Sequence, residues 1–254
     1  MNPYLQNLRK IEFVVTYACT GKCKHCSEGD HSAYGEHIDA EAAALAVEKV
    51  AEHYPIQTVM TFGGEPLLYP DAVFSIHRAA TRMQIPHRQV ITNGYFSKDV
   101  NRMKWMAQNL KEAGVNDLLI SADAFHQETI PLDTVKQFAL LAREEGIPIR
   151  IQPAWLVGEK DPNIYNQMTN RILDEFRSLG FFIGQGNVIF PEGNAKKYLG
   201  RYFTSNYAEN PYIEDPRDVK CLSFDPNGDI LNGNLYQKDI LDILRDYTVT
   251  EEGG

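Results

Sequence analysis

The sequence has few cysteines and no long apolar run, and both absences restrict what the protein can be. Only 4 of its 254 residues are cysteine. No apolar stretch approaches the roughly 18 residues of a membrane-spanning helix, and the segment Met1–Lys10 lacks the apolar centre of a signal peptide. We therefore expect a cytoplasmic protein without a membrane partner.

Basic residues are also in deficit. The chain has 25 Lys and Arg against 34 Asp and Glu, a formal charge of -9. Nucleic acids and anionic membranes both attract a basic surface, so we expect neither as a partner. With 254 residues, of which 43% are hydrophobic, the chain can bury one sizeable core, as barrel-type α/β folds of this length do.

Three of the four cysteines lie close together, at Cys19, Cys23 and Cys26. A disulfide between two of them would leave the third unmatched, and no secretory signal directs the chain to an oxidising compartment. A group of reduced thiolates is the better interpretation.

Short β-branched runs alternate with longer helical patterns over residues 1–190. The predicted strands are Ile11–Tyr17, Gln57–Phe62, Gln89–Thr92, Asp117–Ser121, Pro148–Gln152 and Asn187–Phe190. The predicted helices are Ala40–His53, Asp71–Met83, Ser97–Ala113, Leu132–Glu145 and Ile164–Leu179. Strands separated by such helices form right-handed βαβ units with a parallel sheet. Six strands, two fewer than a closed barrel has, predict an α/β fold with a partial (β/α)6 barrel.

The alternation of strand and helix patterns ends at Pro191. Residues 191–254 are predicted to form a C-terminal extension or lid. Tyr198–Lys220 is rich in Tyr, Asn, Pro and Asp without a clear period, which is typical of an extended loop. Cys221–Leu231 indicates strand, turn and strand, and Ile240–Tyr247 a short helix. The extension should therefore be a β-hairpin followed by a helix.

The cysteines follow the first predicted strand at the spacing C-x3-C-x2-C. Three thiolates can ligate three irons of a cubane cluster and leave the fourth iron open to a small ligand. A zinc site would need a fourth Cys or His, and His31 and His37 keep that alternative open. His25 lies between two ligands and should point elsewhere.

A second motif, Gly63-Gly64-Glu65-Pro66, stands at the end of the second predicted strand. Glycines allow a ligand to approach the backbone closely, and a carboxylate with exposed carbonyls suits an ammonium group. Active sites of parallel α/β folds lie at the carboxyl ends of the strands, so we expect this turn to lie near the cysteines.

Together the two motifs resemble those of the radical S-adenosylmethionine (SAM) enzymes, and the resemblance covers roughly Ile11–Phe190. It implies a [4Fe–4S] cluster on Cys19, Cys23 and Cys26, with SAM bound to the open iron. It also implies that one-electron reduction cleaves SAM to methionine and a 5′-deoxyadenosyl radical, which abstracts hydrogen from a substrate. The electron would come from a donor such as flavodoxin or ferredoxin.

The resemblance further implies a SAM-binding role for the second motif, with Gly63, Gly64, Glu65 and Pro66 holding the methionyl amine. His25 departs from the family, which commonly has an aromatic residue there. Polar residues at other strand ends are further candidates for SAM contacts, although such residues also form turns and cap helices. They are Asn93, Ser121, Asp123 and Arg150, the last as a partner of the SAM carboxylate or of Glu65. For His126 we expect a local structural role.

The tail resembles the branch of this family with SPASM or twitch extensions. Phe190-Pro-Glu-Gly-Asn-Ala is similar to its P-x-G-R-A stretch, with Asn194 where arginine is usual, and Cys221 stands where such an extension starts. No further cysteine follows, so a complete auxiliary cluster is not expected. Cys221 either packs as a small apolar residue, is the remnant of an auxiliary site, or donates a hydrogen atom to a substrate radical.

The sequence thus predicts an enzyme that performs radical chemistry on a peptide substrate, of the ribosomally made and modified type, or on a small-molecule substrate. Two alternatives stay open. One is an activase that installs a glycyl radical on a partner protein. The other is a non-catalytic module that binds zinc or an iron–sulfur cluster and takes part in interactions only.

Overall fold

The computed structural model describes residues 2–27, 29, 31, 35–203 and 210–249. The strands are β1 (Lys10–Val14), β2 (Thr58–Phe62), β3 (His87–Thr92), β4 (Asp117–Ser121), β5 (Ile149–Gln152), β6 (Ala154–Trp155), β7 (Phe182–Ile183), β8 (Asn187–Val188), β9 (Cys221–Phe224), β10 (Asp229–Ile230) and β11 (Gly233–Asn234). The helices are α1 (Ala40–His53), α2 (Pro70–Arg82), α3 (Val100–Glu112), α4 (Leu132–Glu144), α5 (Ile164–Ser178), α6 (Gly193–Leu199) and α7 (Ile240–Asp246), with short 3-10 turns at Pro3–Leu5, Pro66–Leu68 and Gly200–Tyr202.

Seven strands form one sheet in the order β7-β5-β4-β3-β2-β1-β9, and every pair in it is parallel. The sheet is not closed. The predicted α/β fold with a partial barrel is therefore confirmed. Helices α1 to α4 each connect two strands of this sheet, as the alternating pattern requires.

Local sequence explains why the helices start where they do. The Asp39 carboxylate accepts the backbone N–H of Ala42 at 2.8 Å and so caps α1. Asp99 and Asn163 cap α3 and α5 in the same way. The buried residues of α1, Ala43, Ala46, Val47 and Val50, recur at helical spacing and face the core.

The first strand shows how the sheet separates core from cavity. Ile11 and Phe13 are fully buried in the main hydrophobic cluster, while Lys10, Glu12 and Val14 line a cavity on the other face. Successive side chains of a strand point to opposite faces. The concave face of the sheet is therefore polar at this strand and open to a ligand.

The structure corrects the predicted sixth strand, Asn187–Phe190. Only Asn187–Val188 is extended, as β8, and it pairs with β6 outside the main sheet. The sixth place beside β5 is taken by β7, only two residues long. Pro153 interrupts the chain between β5 and β6 because it has no N–H to donate to a ladder.

The C-terminal segment differs from its prediction in two ways. β9 pairs in parallel with β1, Lys10 opposite Cys221, and the hairpin is formed by β10 and β11 instead. Helix α6 was not predicted, whereas α7 matches the predicted helix to within one residue. Residues 204–209 of the predicted loop lie outside the described residues. Within the described ranges no helix is both long and apolar enough to cross a bilayer.

Candidate functional site

Most of the predicted site residues gather around a cavity of about 650 Å³ on the concave face of the sheet. It extends from Lys10 near the start of β1 to the cysteine loop that follows the end of that strand. The members of the predicted site that line it are Cys19, Cys23, Cys26, Gly63, Gly64, Asn93, Ser121 and Asp123. The carboxyl ends of the parallel strands thus bring together residues that are far apart in sequence.

Within the described residues none of the three cysteines of the loop forms a disulfide, and all three line this cavity. The Cys19 sulfur accepts hydrogen bonds from the backbone N–H of Gly21 at 3.3 Å and from Asn93 Nδ2 at 3.4 Å. Burial, followed by the nearby Glu65 carboxylate, raises the pKa of Cys19 to about 12. Burial raises the pKa of Cys23 still further, with Asp123 adding to it. Thiolates there need a bound cation, which iron would supply.

Two histidines lie beside these sulfurs. The His31 ring bridges the loop, with Nε2 3.0 Å from the Cys26 sulfur and Nδ1 2.9 Å from the Tyr17 carbonyl oxygen. His25 packs its ring against Phe125 and His126 at centroid distances of 5.1 and 4.7 Å.

The His25 Nδ1 atom is buried, and among the described residues it has no hydrogen-bond partner. Ring nitrogens of His25 and His126 and the Cys23 sulfur all lie within 4.8 Å of one another. A buried polar atom without a described partner, on a ring that belongs to this group, is consistent with a ligand that binds there. His37, in contrast, stacks on Tyr69 at 4.3 Å and contacts the Ile38 carbonyl oxygen.

The turn after β2 is locked against the cysteine loop. The Gly64 N–H donates to the Thr16 carbonyl oxygen and the Glu65 N–H to that of Ala18, both at 2.8 Å. A Cβ on Gly64 would lie 2.2 Å from the Ala18 oxygen, and Gly63 has a φ of +129°. The two glycines are therefore required by the approach of the two loops, a reason that the sequence prediction did not include.

The Glu65 side chain contacts the end of β3. It is fully buried, and its carboxylate does not line the cavity. Oε1 accepts from Thr92 Oγ1 at 2.7 Å and from the Leu67 N–H at 3.0 Å, and Oε2 from the Asn93 N–H at 2.8 Å. Burial raises the pKa of Glu65 to about 7 in spite of these three donors. With its oxygens so occupied, the carboxylate joins the ends of β2 and β3, and its expected contact with the methionyl amine stays a prediction.

Asn93 lies between this carboxylate and the cysteine loop. Its Nδ2 donates to the Cys19 sulfur at 3.4 Å and to Thr20 Oγ1 at 3.1 Å, and its Oδ1 accepts the Tyr95 N–H at 2.8 Å. It is 5% exposed. Pro66 is buried and starts the 3-10 turn after Glu65.

Ser121, the last residue of β4, lines the cavity, and Asp123 holds the turn that follows. The buried Asp123 carboxylate accepts N–H groups of Phe125 at 2.9 Å, of His126 at 3.0 Å and of Ala154 at 3.0 Å, and contacts His126 Nδ1 at 2.8 Å. Burial alone would raise the pKa of Asp123, but the His126 imidazole and these donors hold it well below its usual range. The expected local structural role of His126 agrees with this contact.

Arg150 does not pair with Glu65, so that alternative was wrong, while a contact with the SAM carboxylate stays a prediction. Its guanidinium lies against Asp117 instead, with Nε to Oδ1 at 2.9 Å, and Gln89 donates to the same carboxylate at 2.7 Å. These residues lie in the first half of their strands, away from the carboxyl ends, so the nearest carboxylate is Asp117 and not Glu65.

Cys221 lies at the start of β9, opposite Lys10. This position is about 13 Å along the strand from the level of Val14, where the cysteine loop begins, at a rise of about 3.3 Å per residue. Burial, followed by the Glu12 carboxylate, raises the pKa of this thiol. The structure therefore does not bring Cys221 to the three cysteines.

The sequence analysis did not single out Gln152, which lines the cavity at the end of β5. Its Oε1 is buried and lacks a hydrogen-bond partner among the described residues. The available signal was its position as a polar residue at the carboxyl end of a parallel strand. A separate, more open groove between the N-terminal segment and α7 contains none of the predicted site residues.

Comparisons with known proteins agree with this geometry. Residues 13–164, more than half of the chain, match the family model of the radical SAM superfamily. The chain is 31% identical over 126 residues to a probable GTP 3′,8-cyclase of Saccharolobus islandicus (strain L.S.2.15 / Lassen #1), covering 48% of this chain and 37% of the relative. A GTP 3′,8-cyclase of Desulforamulus reducens (strain ATCC BAA-1160 / DSM 100696 / MI-1) is 26% identical over 129 residues, covering 50% and 38%. The chain thus spans well under half the length of these relatives.

Solved structures share the fold at low identity. Native anSMEcpe with bound AdoMet and Cp18Cys peptide has a TM-score of 0.58 at 13% identity, covering 96% of this chain and 84% of that chain. BtrN in complex with AdoMet and 2-DOIA has a TM-score of 0.51 at 15% identity, covering 93% and 81%. The family match and the cysteine motif at the end of β1 lead to one conclusion: the chain belongs to the radical SAM superfamily, whose enzymes use a [4Fe–4S] cluster and SAM.

Proposed function

We propose that Cys19, Cys23 and Cys26 hold the [4Fe–4S] cluster and that the protein reductively cleaves SAM to abstract hydrogen from a peptide or small-molecule substrate. The observation that carries this proposal is the shared cavity, in which the three sulfurs, the Gly63–Gly64 turn and Asn93 face one space. Bound there, cluster and SAM would supply the 5′-deoxyadenosyl radical.

Different residues around the cavity would bind different parts of SAM and the cluster. The backbone of Gly63 and Gly64 faces the cavity and is available to the methionyl ammonium, whereas the Glu65 carboxylate holds the turn from behind. Asn93 donates to the Cys19 sulfur and would thereby orient that ligand. Ser121 and Gln152 are polar groups on the same wall and are available to the sugar or base of SAM.

The charges of the cavity wall limit the substrate. Among the described lining residues Lys10 is the only Lys or Arg, and it is paired with Glu12 at 2.6 Å. Glu192, at the same wall, accepts Asn210 Nδ2 at 3.1 Å. A triphosphate would meet carboxylates here and no unpaired cation. We therefore propose a neutral or cationic substrate, such as a peptide, although some relatives are named for a reaction of GTP.

Two further proposals complete this function. Reduction needs one electron from outside, so a flavodoxin- or ferredoxin-type donor is the expected partner. A reduced cluster and free thiols suit the cytoplasm, where thiols stay reduced.

The test is anaerobic reconstitution followed by reduction with dithionite in the presence of SAM. We expect about four irons per chain and formation of 5′-deoxyadenosine and methionine. Replacing Cys19, Cys23 and Cys26 together by Ala should abolish both, while Cys221→Ala serves as a matched control that keeps them. Stoichiometric zinc without a reducible absorbance would contradict the proposal and support a zinc-binding module.

A second measurement addresses the substrate. GTP added to the reduced enzyme should leave the rate of 5′-deoxyadenosine formation unchanged, because the cavity offers its phosphates no free cation. Stimulation by GTP would contradict the proposed substrate class and leave SAM cleavage itself intact. Transfer of the radical to a glycine of a partner protein, detected by its EPR signal, would support the activase alternative.

A further inference from the structure

The start of α6 lies directly against the backbone of the cysteine loop. The Asn194 backbone N–H donates to the Cys26 carbonyl oxygen at 2.9 Å. Its side-chain Nδ2 donates to two more carbonyl oxygens of the same loop, those of Cys23 at 3.3 Å and of Gly29 at 3.1 Å. One residue thereby holds three carbonyl groups of the segment that carries two of the proposed cluster ligands.

The residue before it makes this contact possible. A Cβ on Gly193 would lie 2.1 Å from the Ser27 carbonyl oxygen and 2.8 Å from that of Cys26. Gly193 also has a φ of +48°, a conformation that other residues adopt at a cost. The two backbones therefore touch without an intervening side chain, and the fit is specific to this pair of segments.

We propose that Asn194 is a positioning residue for the iron–sulfur cluster, acting through the backbone of the Cys23–Cys26 turn. That turn closes with a Cys26 N–H to Cys23 carbonyl hydrogen bond at 3.3 Å, so the Asn194 amide is the second donor to the Cys23 carbonyl oxygen. Two sulfurs that ligate one cluster must keep a fixed separation, and an outer hydrogen bond to their backbone restricts it. The inference rests on the proposed function only in taking these cysteines as ligands.

The test compares Asn194→Asp with the wild type and with Asn170→Asp after anaerobic reconstitution. Asp has the shape of Asn but places an oxygen where the amide donates, so both side-chain hydrogen bonds are lost. Asn170 is exposed on α5 and donates only within that helix, so it controls for the added charge. Asn194→Ala removes the donor without adding a charge. It replaces Asn194→Asp in the comparison if that variant does not fold.

We expect iron loss to a chelator to be about tenfold faster for Asn194→Asp, the effect of one to two net hydrogen bonds. The EPR signal of the reduced cluster should broaden, because the ligand geometry is less uniform. The melting temperatures of the metal-free Asn194→Asp and Asn170→Asp proteins measure any loss of general stability, and the EPR linewidth, which such a loss alone would not change, identifies positioning. Iron loss and EPR linewidth equal to the wild type in a folded variant would overturn the inference. Failure of the wild type itself to take up iron would contradict the proposed function instead.

Discussion

The Glu65 carboxylate accepts the backbone N–H of Asn93 at 2.8 Å, and the Asn93 side chain donates to the Cys19 sulfur at 3.4 Å. One buried carboxylate thus connects the turn after β2 with the first cysteine through the end of β3. The glutamate of the Gly-Gly-Glu motif does not line the cavity itself. It holds the backbone of a residue that does.

Glu65→Gln should destabilise the metal-free protein by about 2–4 kcal/mol. The amide nitrogen would have to replace one carboxylate oxygen, and it would then face the N–H of either Asn93 or Leu67. Urea unfolding at pH 8, where the wild-type carboxylate is ionised, measures the loss. Glu112→Gln, at an exposed position of α3, is the control. An unchanged unfolding midpoint together with weaker SAM binding would show that the carboxylate contacts SAM directly.

Gly64→Ala should destabilise the fold by about 2–4 kcal/mol and reduce iron uptake. The added Cβ would lie 2.2 Å from the Ala18 carbonyl oxygen, so the turn after β2 and the cysteine loop would have to separate. Gly158→Ala is the matched control, because no atom lies within 4 Å of a Cβ there. Iron content after reconstitution and the melting temperature of both variants check the prediction. Equal values for the two variants would contradict it.

Cys221→Ala should retain the cluster and the normal yield of product. The residue starts β9 at the opposite end of the strands from the cysteine loop, and it packs beside Glu12. Loss of a small, mostly buried side chain should cost about 1 kcal/mol. Product analysis with the true substrate is the decisive measurement. If 5′-deoxyadenosine still forms but the product is lost or diverted, the thiol donates hydrogen to the substrate radical.

His77 should make the fold sensitive to acid. It is fully buried on α2, contacts Thr61 Oγ1 at 3.0 Å, and has its pKa lowered by burial to about 3. The unfolded chain binds a proton at a pKa near 6.5, so the stability contributed by the neutral imidazole falls as pH decreases from 6.5 toward 3.

Between pH 6.5 and 4, unfolding free energies of the metal-free wild type should fall by about 2–3 kcal/mol more than those of His77→Gln. Glutamine can still hydrogen-bond to Thr61 and does not titrate in this range. The same decrease of unfolding free energy with pH in the two proteins would contradict the prediction.

Much of the fold follows from local sequence. The helix Ala40–His53 was predicted to the residue, because its cap and its apolar spacing lie within the segment itself. The cysteine loop was predictable for the same reason. Features that depend on distant parts of the chain were not. The partner of Arg150 is Asp117 on the neighbouring strand, and the pairing of β9 with β1 joins segments with no shared pattern. The partners of the Glu65 carboxylate were not predicted because all its donors except Leu67 belong to β3 and its end.

The parallel pairing of β1 with β9 also bears on how the protein folds during synthesis. The ribosome makes β9 about 200 residues after β1, so the strand that carries the cysteine loop keeps one unpaired edge until nearly all of the described chain has emerged. Pairing at such sequence separation has a high contact order and is slow, and an exposed strand edge invites association with other chains. Yield in cells should therefore depend on translation rate and chaperone supply more than the final stability suggests.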